Sequence, residues 1–274
     1  MPLPETAGSA LALLEWQIAM GADEAIGEVA PDRLAPPPPV AAPSVPATAV
    51  PALRPAMPAA PPAIVTPPGA FAESLAEAAQ SARLLAAGAE SVEALAALVA
   101  GFDGCPLKRT ATSTVFIDGN PAAPVMIVGE APGADEDRIG RPFVGRAGQL
   151  LDRMLAAIGL DRTMVYIANV VPWRPPGNRD PSLQETQICL PFITRQIELV
   201  DPDVLVCLGK PATAGLLGIS DGIRKTRGRW FSYHTGTREI RAIATFHPAY
   251  LLRSPLEKRL AWRDFLAIRK ALAG

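Results

Sequence analysis

Two asparagines in the segment NVVPWRPPGNR, residues 169–179, have the type and position to do chemistry. Asn169 stands near the end of the apolar run MVYIANVV, and Asn178 follows nine residues later, after a tryptophan and three prolines. A carboxamide offers a donor and an acceptor side by side, which suits the edge of a nucleobase. Asparagine at a strand end more commonly closes backbone hydrogen bonds, and the segment alone leaves both interpretations open.

Carboxylates and glycines crowd the loop GEAPGADEDRIGRPFVG, residues 129–145, which follows another apolar run. Four acidic side chains fall within eight residues: Glu130, Asp135, Glu136 and Asp137. This density argues against a phosphate cradle, which uses neutral glycines and a lysine. It is compatible with a metal site, although no histidine is nearby, or with caps for the helix that follows. Phe143, next to Pro142, either seals the core or stacks on a planar ligand.

A third candidate segment, FHPAYLLRSP, residues 246–255, places one of the two histidines of the chain, His247, directly before a proline. The residues that follow are Tyr250, Leu251, Leu252 and Arg253. Consecutive large apolar residues here are either the start of a helix packed inward or an exposed wedge. Since Lys258 and Arg259 add positive charge nearby, the wedge interpretation fits a protein that unstacks bases.

Four apolar strands are predicted to position these segments, over residues 124–130, 164–171, 203–209 and 240–248. They alternate with helices over 146–160 and 182–200, a short helix after residue 209, and an amphipathic, Arg/Lys-rich helix at the C-terminal end. Buried strands that alternate with helices indicate a parallel sheet covered on both faces. Ligands of such sheets lie beyond the carboxyl ends of the strands, where all three candidate segments begin.

The N-terminal part of the chain differs in composition from the rest. Residues 8–30 have helical periodicity and are predicted to form a separate helix that either packs on the body or docks a partner. Residues 31–69 hold 14 of the 30 prolines and predict an extended linker. The globular domain is expected over 70–274, and it opens with two helices, the second capped by Ser91.

Charge and composition limit the class of protein further. The formal net charge of the 274 residues is −1, but residues 221–274 carry twelve basic and four acidic side chains, a net charge of +8. That basic block is a modest indication of a polyanionic ligand. The chain lacks a basic leader before an apolar stretch, a run long enough to span a membrane, and a disulfide framework. A cytoplasmic protein without a membrane segment is therefore expected.

In this order, the three segments resemble the family-four uracil-DNA glycosylases. The resemblance covers roughly residues 100–272. It implies a three-layer α/β/α sandwich on a central four-stranded parallel sheet. The implied function is a DNA repair enzyme that flips uracil out of DNA and hydrolyses its N-glycosidic bond, leaving an abasic site. A wider specificity for deaminated bases and a non-catalytic DNA-binding relative are the alternatives.

The resemblance also implies a role for each site residue. Phe143 would stack on the extruded uracil, Asn169 would bind its O4/N3 edge, and His247 would donate a hydrogen bond to O2. Glu130 and Glu136 would be acidic pocket residues, Glu136 being the first candidate for positioning water. Asn178 would complete the catalytic set and Ala131 the uracil-binding set. The DNA contacts would come from Arg174, Arg179, Tyr250, Leu251, Leu252 and Arg253.

The family typically holds a [4Fe–4S] cluster on four cysteines, and this sequence departs from that pattern. Cys105 and Cys189 match two ligands, whereas Phe102 and Trp173 stand at the other two positions. We expect the cluster to be absent and the two aromatic side chains to fill its volume. The alternative keeps a metal on the two cysteines. Cys207, within the third strand, is expected to be a small buried hydrophobic residue.

The implied partners follow from this function. Uracil-containing DNA is the expected substrate, and residues 8–30 are a candidate for docking a protein partner. We expect a monomer, located in the cytoplasm and associated with the nucleoid.

Overall fold

The structure, a computed structural model, describes residues 68–272, with side chains described from residue 76. The predicted helix over 8–30 and nearly all of the predicted linker over 31–69 lie outside the described residues. The first described helix begins at Pro68, two residues before the expected start of the domain. Along the described chain, no helix is both long and apolar enough to cross a membrane.

A six-stranded sheet forms the centre of the fold. Its strands are β1 (Asp118–Gly119), β2 (Val125–Gly129), β3 (Val165–Asn169), β4 (Val204–Leu208), β5 (Trp230–His234) and β6 (Glu239–Thr245), in the order β1-β3-β2-β4-β6-β5. The inner four, β3, β2, β4 and β6, are parallel and correspond to the four predicted strands. The prediction missed the antiparallel edge strands β1 and β5. β1 has only two residues, and β5 is exposed along much of its length, so neither gives a strong apolar signal.

Nine helices in the described range surround this sheet. They are α1 (Pro68–Ala87), α2 (Val92–Gly101), α3 (Ala134–Ile139), α4 (Arg146–Ala156), α5 (Leu183–Val200), α6 (Gly209–Leu217), α7 (Ile223–Thr226), α8 (Pro248–Arg253) and α9 (Lys258–Leu272). The predicted cap of α2 is confirmed, because Ser91 Oγ accepts a hydrogen bond of 3.1 Å from the Ala94 N–H.

Both faces of the sheet are buried, which confirms the predicted three-layer α/β/α sandwich. Along β2, Met126 and Val128 pack with residues of α2 and α5, whereas Val125 and Ile127 pack with residues of α4 and α9. The same alternation in β3 and β4 explains why these strands read as continuous apolar runs. Because the inner strands are parallel, the loops after β2, β3 and β6 leave the sheet at one edge.

Candidate active site

A pocket of about 280 Å³ lies at the carboxyl ends of the parallel strands. It brings together most of the predicted site residues: Glu130, Ala131, Glu136, Phe143, Asn169, Asn178, Arg179, His247, Tyr250 and Arg253. Arg174, Leu251 and Leu252 are not in its lining. A larger groove of about 830 Å³, between α1 and α5, contains none of the predicted site residues. The convergence of separate loops on the smaller pocket makes it the candidate active site.

Asn169, the last residue of β3, is the buried polar group of this pocket. Its side chain is 3% exposed, and neither Nδ2 nor Oδ1 has a hydrogen-bond partner among the described residues. Its neighbour in β2 is Gly129, where an added Cβ would approach Asn169 Oδ1 and Phe143 Cζ to 2.5 Å each. A buried amide without hydrogen-bond partners lowers the free energy of unfolding by about 1–3 kcal/mol. We therefore expect Asn169 to bind a ligand whose donor and acceptor groups complement its amide.

Phe143 is held in place by contacts that are not evident from its own segment. It has a positive φ of 55°, which is uncommon for an aromatic residue, and its side chain is 5% exposed. Arg162, just before β3, donates hydrogen bonds to the carbonyl oxygens of Phe143 and of Pro142. Arg162 also pairs with Asp118 of β1 and with Asp152, at 2.8 Å from the latter. Sequence reasoning missed Arg162, because its partners are 10 to 44 residues away.

His247 lies at the N-cap of α8, and its ring faces that of Phe143. The two ring centroids are 5.4 Å apart and the planes are inclined by 31°. His247 Nδ1 accepts a hydrogen bond of 3.2 Å from the Ala249 N–H, so in the neutral ring the proton is on Nε2. Burial, together with the positive charge of Arg253, lowers the pKa of His247 to about 4. His247 is therefore a neutral N–H donor near neutral pH.

Glu130 follows β2 directly and lines the pocket. Burial, and to a lesser degree the nearby charge of Asp180, raises the pKa of Glu130 to about 7. No hydrogen bond or ion pair to its carboxylate occurs among the described residues. Asp180 also lines the pocket, and sequence reasoning did not single it out. Glu130 is thus free to interact with a ligand and titrates near neutral pH.

Glu136 caps a helix, which was one of the two alternatives for the acidic residues of the loop 129–145. Its Oε2 accepts from the N–H of Gly133, the N-cap residue of α3, at 3.1 Å, and its Oε1 accepts from the Gly145 N–H at 2.8 Å. The carboxylate therefore joins the two ends of the acidic loop. Asp137 likewise accepts from the backbone N–H groups of Thr112 and Ser113. Within residues 68–272, no group of three or more His, Cys, Asp or Glu side chains could hold a metal ion.

The loop after β3 is braced by two arginines that were predicted to contact DNA. Arg174 Nε donates a hydrogen bond of 2.7 Å to Asn178 Oδ1, and Asn178 has a positive φ of 55°. Arg179 forms a two-pronged pair with Glu185 at 2.9 and 2.7 Å, and Glu185 also caps α5 with Ser182. Both arginines therefore have intramolecular partners, and Arg174 holds Asn178 directly.

Tyr250–Arg253, for which the sequence left open an exposed wedge or the start of an inward-packed helix, lie in α8. Leu251 is fully buried and packs with Leu150, Phe246 and Ala261. It therefore cannot act as an exposed wedge in this arrangement, and the inward-packed helix start is the interpretation that holds. Tyr250 and Arg253 remain at the pocket, whereas Leu252 is half-buried outside its lining.

Phe102 and Trp173 meet at the position where the resemblance implies an iron–sulfur cluster. Their ring centroids are 6.4 Å apart in a stacked arrangement, and Trp173 Nε1 donates to Thr114 Oγ1 at 3.1 Å. The Sγ atoms of Cys105 and Cys189 are 3.8 Å apart, and all four cluster-position side chains are buried in one apolar cluster. A [4Fe–4S] cluster takes four thiolate ligands, whereas these positions supply two thiols and two aromatic rings. The residues present do not fit that group.

Comparison with known proteins agrees with this fold and pocket. The chain belongs to the uracil DNA glycosylase superfamily, whose family model matches residues 116–266. It is similar to the type-4 uracil-DNA glycosylase of Archaeoglobus fulgidus, with 42% identity over 168 residues that make up 60% of this chain and 84% of the relative. The type-4 enzyme of Thermotoga maritima is 43% identical over 166 residues, 60% of this chain and 85% of the relative. The resemblance drawn from the three segments is confirmed.

Proposed function

We propose that this protein is a uracil-DNA glycosylase that releases uracil from DNA by hydrolysing the N-glycosidic bond in DNA repair. The single observation that carries the proposal is the buried, unpartnered amide of Asn169 at the base of a pocket flanked by Phe143 and His247. Uracil presents an acceptor and a donor, O4 and N3–H, that complement one carboxamide. The similarity to type-4 enzymes supports the same reaction.

The pocket residues divide the work of the reaction. A base inside a duplex cannot reach such a pocket, so the nucleotide must first be extruded. The ring of Phe143 would stack on the base, while Asn169 reads its edge. As the bond to the sugar breaks, negative charge develops on uracil O2, where the neutral Nε2–H of His247 would donate.

On the sugar side, an ionised Glu130 would stabilise the positive charge that develops as the leaving base departs. Glu130 is also our candidate for positioning the attacking water, in place of Glu136, whose two carboxylate oxygens already accept backbone hydrogen bonds. Asn178, with its Oδ1 bound by Arg174, keeps its Nδ2 as a donor at the pocket.

Excision from defined oligonucleotides tests the proposal. Single- and double-stranded oligonucleotides with one uracil are incubated with the protein and treated with alkali, which cleaves the strand at an abasic site. Matched strands with thymine are controls, and strands with hypoxanthine or xanthine test the wider-specificity alternative. The Asn169→Ala/His247→Ala double variant, purified in parallel, controls for contaminating activity. No cleavage of either uracil substrate would defeat the proposal and favour the non-catalytic alternative.

We further propose that the protein works without an iron–sulfur cluster. The packing of Phe102 on Trp173 supports this, since two of the four positions that would supply thiolate ligands hold buried aromatic rings instead. Iron analysis and visible absorption of protein purified without oxygen test it. Stoichiometric iron with the broad absorption of a cluster would overturn the proposal, and one metal ion per chain would favour the two-cysteine alternative.

Location and assembly are further parts of the proposal. We propose a monomer that acts in the cytoplasm at the nucleoid, with residues 8–30 able to recruit a protein partner. Sedimentation of the full chain tests the monomer. Affinity capture with the full chain and with a variant lacking residues 8–30 tests the partner, whose loss from the deletion variant is the expected result.

A further inference from the structure

A small apolar groove of about 210 Å³ lies between α4 and α9. Leu251, on α8, is part of its lining, whereas Tyr250 and Arg253 of the same helix line the candidate active site. Different faces of α8 therefore border the two cavities. Because none of the predicted uracil-binding residues lines the groove, its own residues have to indicate what it binds.

The floor of the groove is part of the protein core, and one wall is an exposed tryptophan. Leu251, Ala261 and Phe265 form the floor and are all buried. Trp262, on α9, forms the wall, and 42% of its surface is exposed. An indole ring beside a cavity of this size offers contact area to one large apolar side chain from another molecule.

Two cations without ionic partners lie at the rim of the groove. Arg153 and Lys258 are exposed, and neither forms a salt bridge with a described acidic residue. None of the described residues that line the groove is acidic. The acidic residues closest in sequence to Lys258, Glu257 and Asp264, are already paired with two other arginines. The uncompensated positive charge of the rim complements carboxylates.

The chemistry of the floor favours a peptide over DNA. A nucleobase that entered the groove would leave the polar atoms of its edges without hydrogen-bond partners, because the floor has no polar side chain. An apolar side chain loses no such hydrogen bonds when it is buried there. Carboxylates on either side of it would be within the field of Arg153 and Lys258, which lie at the rim.

We propose that the groove between α4 and α9 docks an acidic peptide segment of a partner protein. The segment inserts one large apolar side chain against Trp262 and places carboxylates at Arg153 and Lys258. This contact holds the partner beside the candidate active site and leaves that pocket open to DNA. The inference goes beyond uracil excision and does not depend on it.

Fluorescence anisotropy with the full chain tests the docking. The probe is a labelled synthetic peptide with one phenylalanine between two runs of aspartate, and we expect saturable binding. Trp262→Ala and Arg153→Glu should each weaken binding by about tenfold or more, because they remove the aromatic contact or reverse a rim charge. Ala157→Trp, which fills the groove from the end of α4, should have the same effect without removing a contact. A peptide with serine in place of phenylalanine should also bind about tenfold more weakly.

The matched control is Trp230→Ala, on β5. Trp230 is 38% exposed, and the guanidinium carbon of Arg241 is 5.7 Å from its ring centroid, so it also combines an exposed indole with a cation. It does not line the groove, and its replacement should change peptide affinity by less than about twofold. Affinity for a uracil-free duplex should likewise change by less than about twofold in Trp262→Ala.

Several outcomes would overturn the inference. They are no saturable binding by wild type, equal affinity for the serine peptide, and an equal loss in Trp230→Ala. A matching loss of duplex affinity in Trp262→Ala would assign the groove to DNA, and a dimer that this variant dissociates would assign it to a second copy of the chain. Tighter binding by a variant lacking residues 8–30 would assign it to that segment. Because the probe contains no uracil, each of these results is independent of the excision assay.

Discussion

Arg174 Nε donates a hydrogen bond of 2.7 Å to Oδ1 of Asn178, four residues further along the same loop. Asn178 has the left-handed backbone conformation, with φ 55°, and lines the candidate active site. Because its oxygen is engaged by a guanidinium, the amide group is oriented and its Nδ2 is left as the free donor. Arg174 is thus a positioning residue for a pocket amide, in addition to its expected part in binding DNA.

Replacing Arg174 by alanine separates these two roles. If the arginine orients Asn178, we expect kcat to fall by about tenfold while KM changes little, because the loss of one charge-assisted hydrogen bond costs about 1.5–3 kcal/mol. A phosphate contact would instead weaken DNA binding and reduce the salt dependence of the affinity by about one unit of slope. Steady-state kinetics and binding at several salt concentrations measure both. A reduced slope with unchanged kcat would contradict the positioning role.

Asn169→Ala should lose activity without loss of stability. The amide makes no hydrogen bond among the described residues, so its removal costs no protein contact of that kind. We expect excision of uracil to slow by about a hundredfold or more, by analogy with removal of one buried donor at a reacting group. The midpoint of thermal unfolding should not fall.

Single-turnover excision and thermal unfolding check this pair of outcomes. Asn120→Ala is the matched control, since the Asn120 amide is exposed and bonds only the nearby Ala122 N–H. Full activity of Asn169→Ala would remove Asn169 from the site. A large fall in its unfolding midpoint would assign the amide to folding instead.

The pH dependence of excision should follow Glu130. Its pKa is raised to about 7, so the ionised form that stabilises the sugar becomes populated as pH rises through about 7. The single-turnover rate should therefore increase through that range and then level off. His247, with its pKa lowered to about 4, stays neutral and adds no second limb near neutral pH. A rate that decreases through pH 7 would show that the protonated carboxyl is the active form.

Variants of Glu130 and of Asp180 test whether Glu130 is the group that causes this pH dependence. Glu130→Gln should be slow with a flat profile near neutral pH. Asp180→Asn removes the negative charge that adds to the shift, so the rising limb should move to lower pH. Exposed Asp103 provides a control, since Asp103→Asn should leave the profile unchanged. If the rising part of the pH–rate profile did not move in Asp180→Asn, the charge of Asp180 would not contribute to the raised pKa of Glu130.

The free energy of unfolding should also depend on the ionisation of Glu130, but it should decrease with pH where the excision rate increases. Because the folded pKa of Glu130 exceeds its ordinary value of 4.5, the native state binds more protons than the unfolded state between about 4.5 and 7. The free energy of unfolding therefore decreases as pH rises through that window. Glu130→Gln should be more stable than wild type above about pH 7 and should lose that advantage below the ordinary carboxyl range. Denaturant unfolding across pH checks this, and equal pH dependence in both proteins would contradict it.

Restoring cysteine at positions 102 and 173 tests whether Phe102 and Trp173 are the reason that the protein binds no cluster. The double variant Phe102→Cys/Trp173→Cys would carry four cysteines at the cluster positions, and we expect it to bind iron when reconstituted with iron and sulfide. Trp173→Ala alone should lower the free energy of unfolding by about 3–5 kcal/mol, because it empties the volume of a fully buried ring. Iron content, visible absorption and denaturant unfolding provide the measurements. Wild-type protein that takes up iron to the same extent would contradict the account.

Much of the fold was predictable because its signals are local. The four inner strands are short, continuous apolar runs, buried on both faces, and the helices between them carry the periodicity of one apolar face. The edge strands β1 and β5 were missed because pairing at an edge leaves little mark on composition. The C-terminal helix, predicted from Arg253 onward, begins at Lys258, after the turn Pro255–Glu257.

By itself, the sequence determined the class of fold and the three segments at the carboxyl ends of the strands, and it singled out Asn169, Phe143 and His247 as candidate site residues. Only the tertiary structure decided which side chains around these residues are exposed or have no hydrogen-bond partner, and so can contact a ligand. Glu136 is engaged by the Gly133 and Gly145 N–H groups, whereas the Glu130 carboxylate has no hydrogen-bond partner among the described residues. Leu251 is buried, whereas Tyr250 and Arg253 of the same helix line the pocket. The reason is that burial and hydrogen-bond partners depend on contacts between distant segments, whereas strand and helix patterns are recorded in adjacent residues.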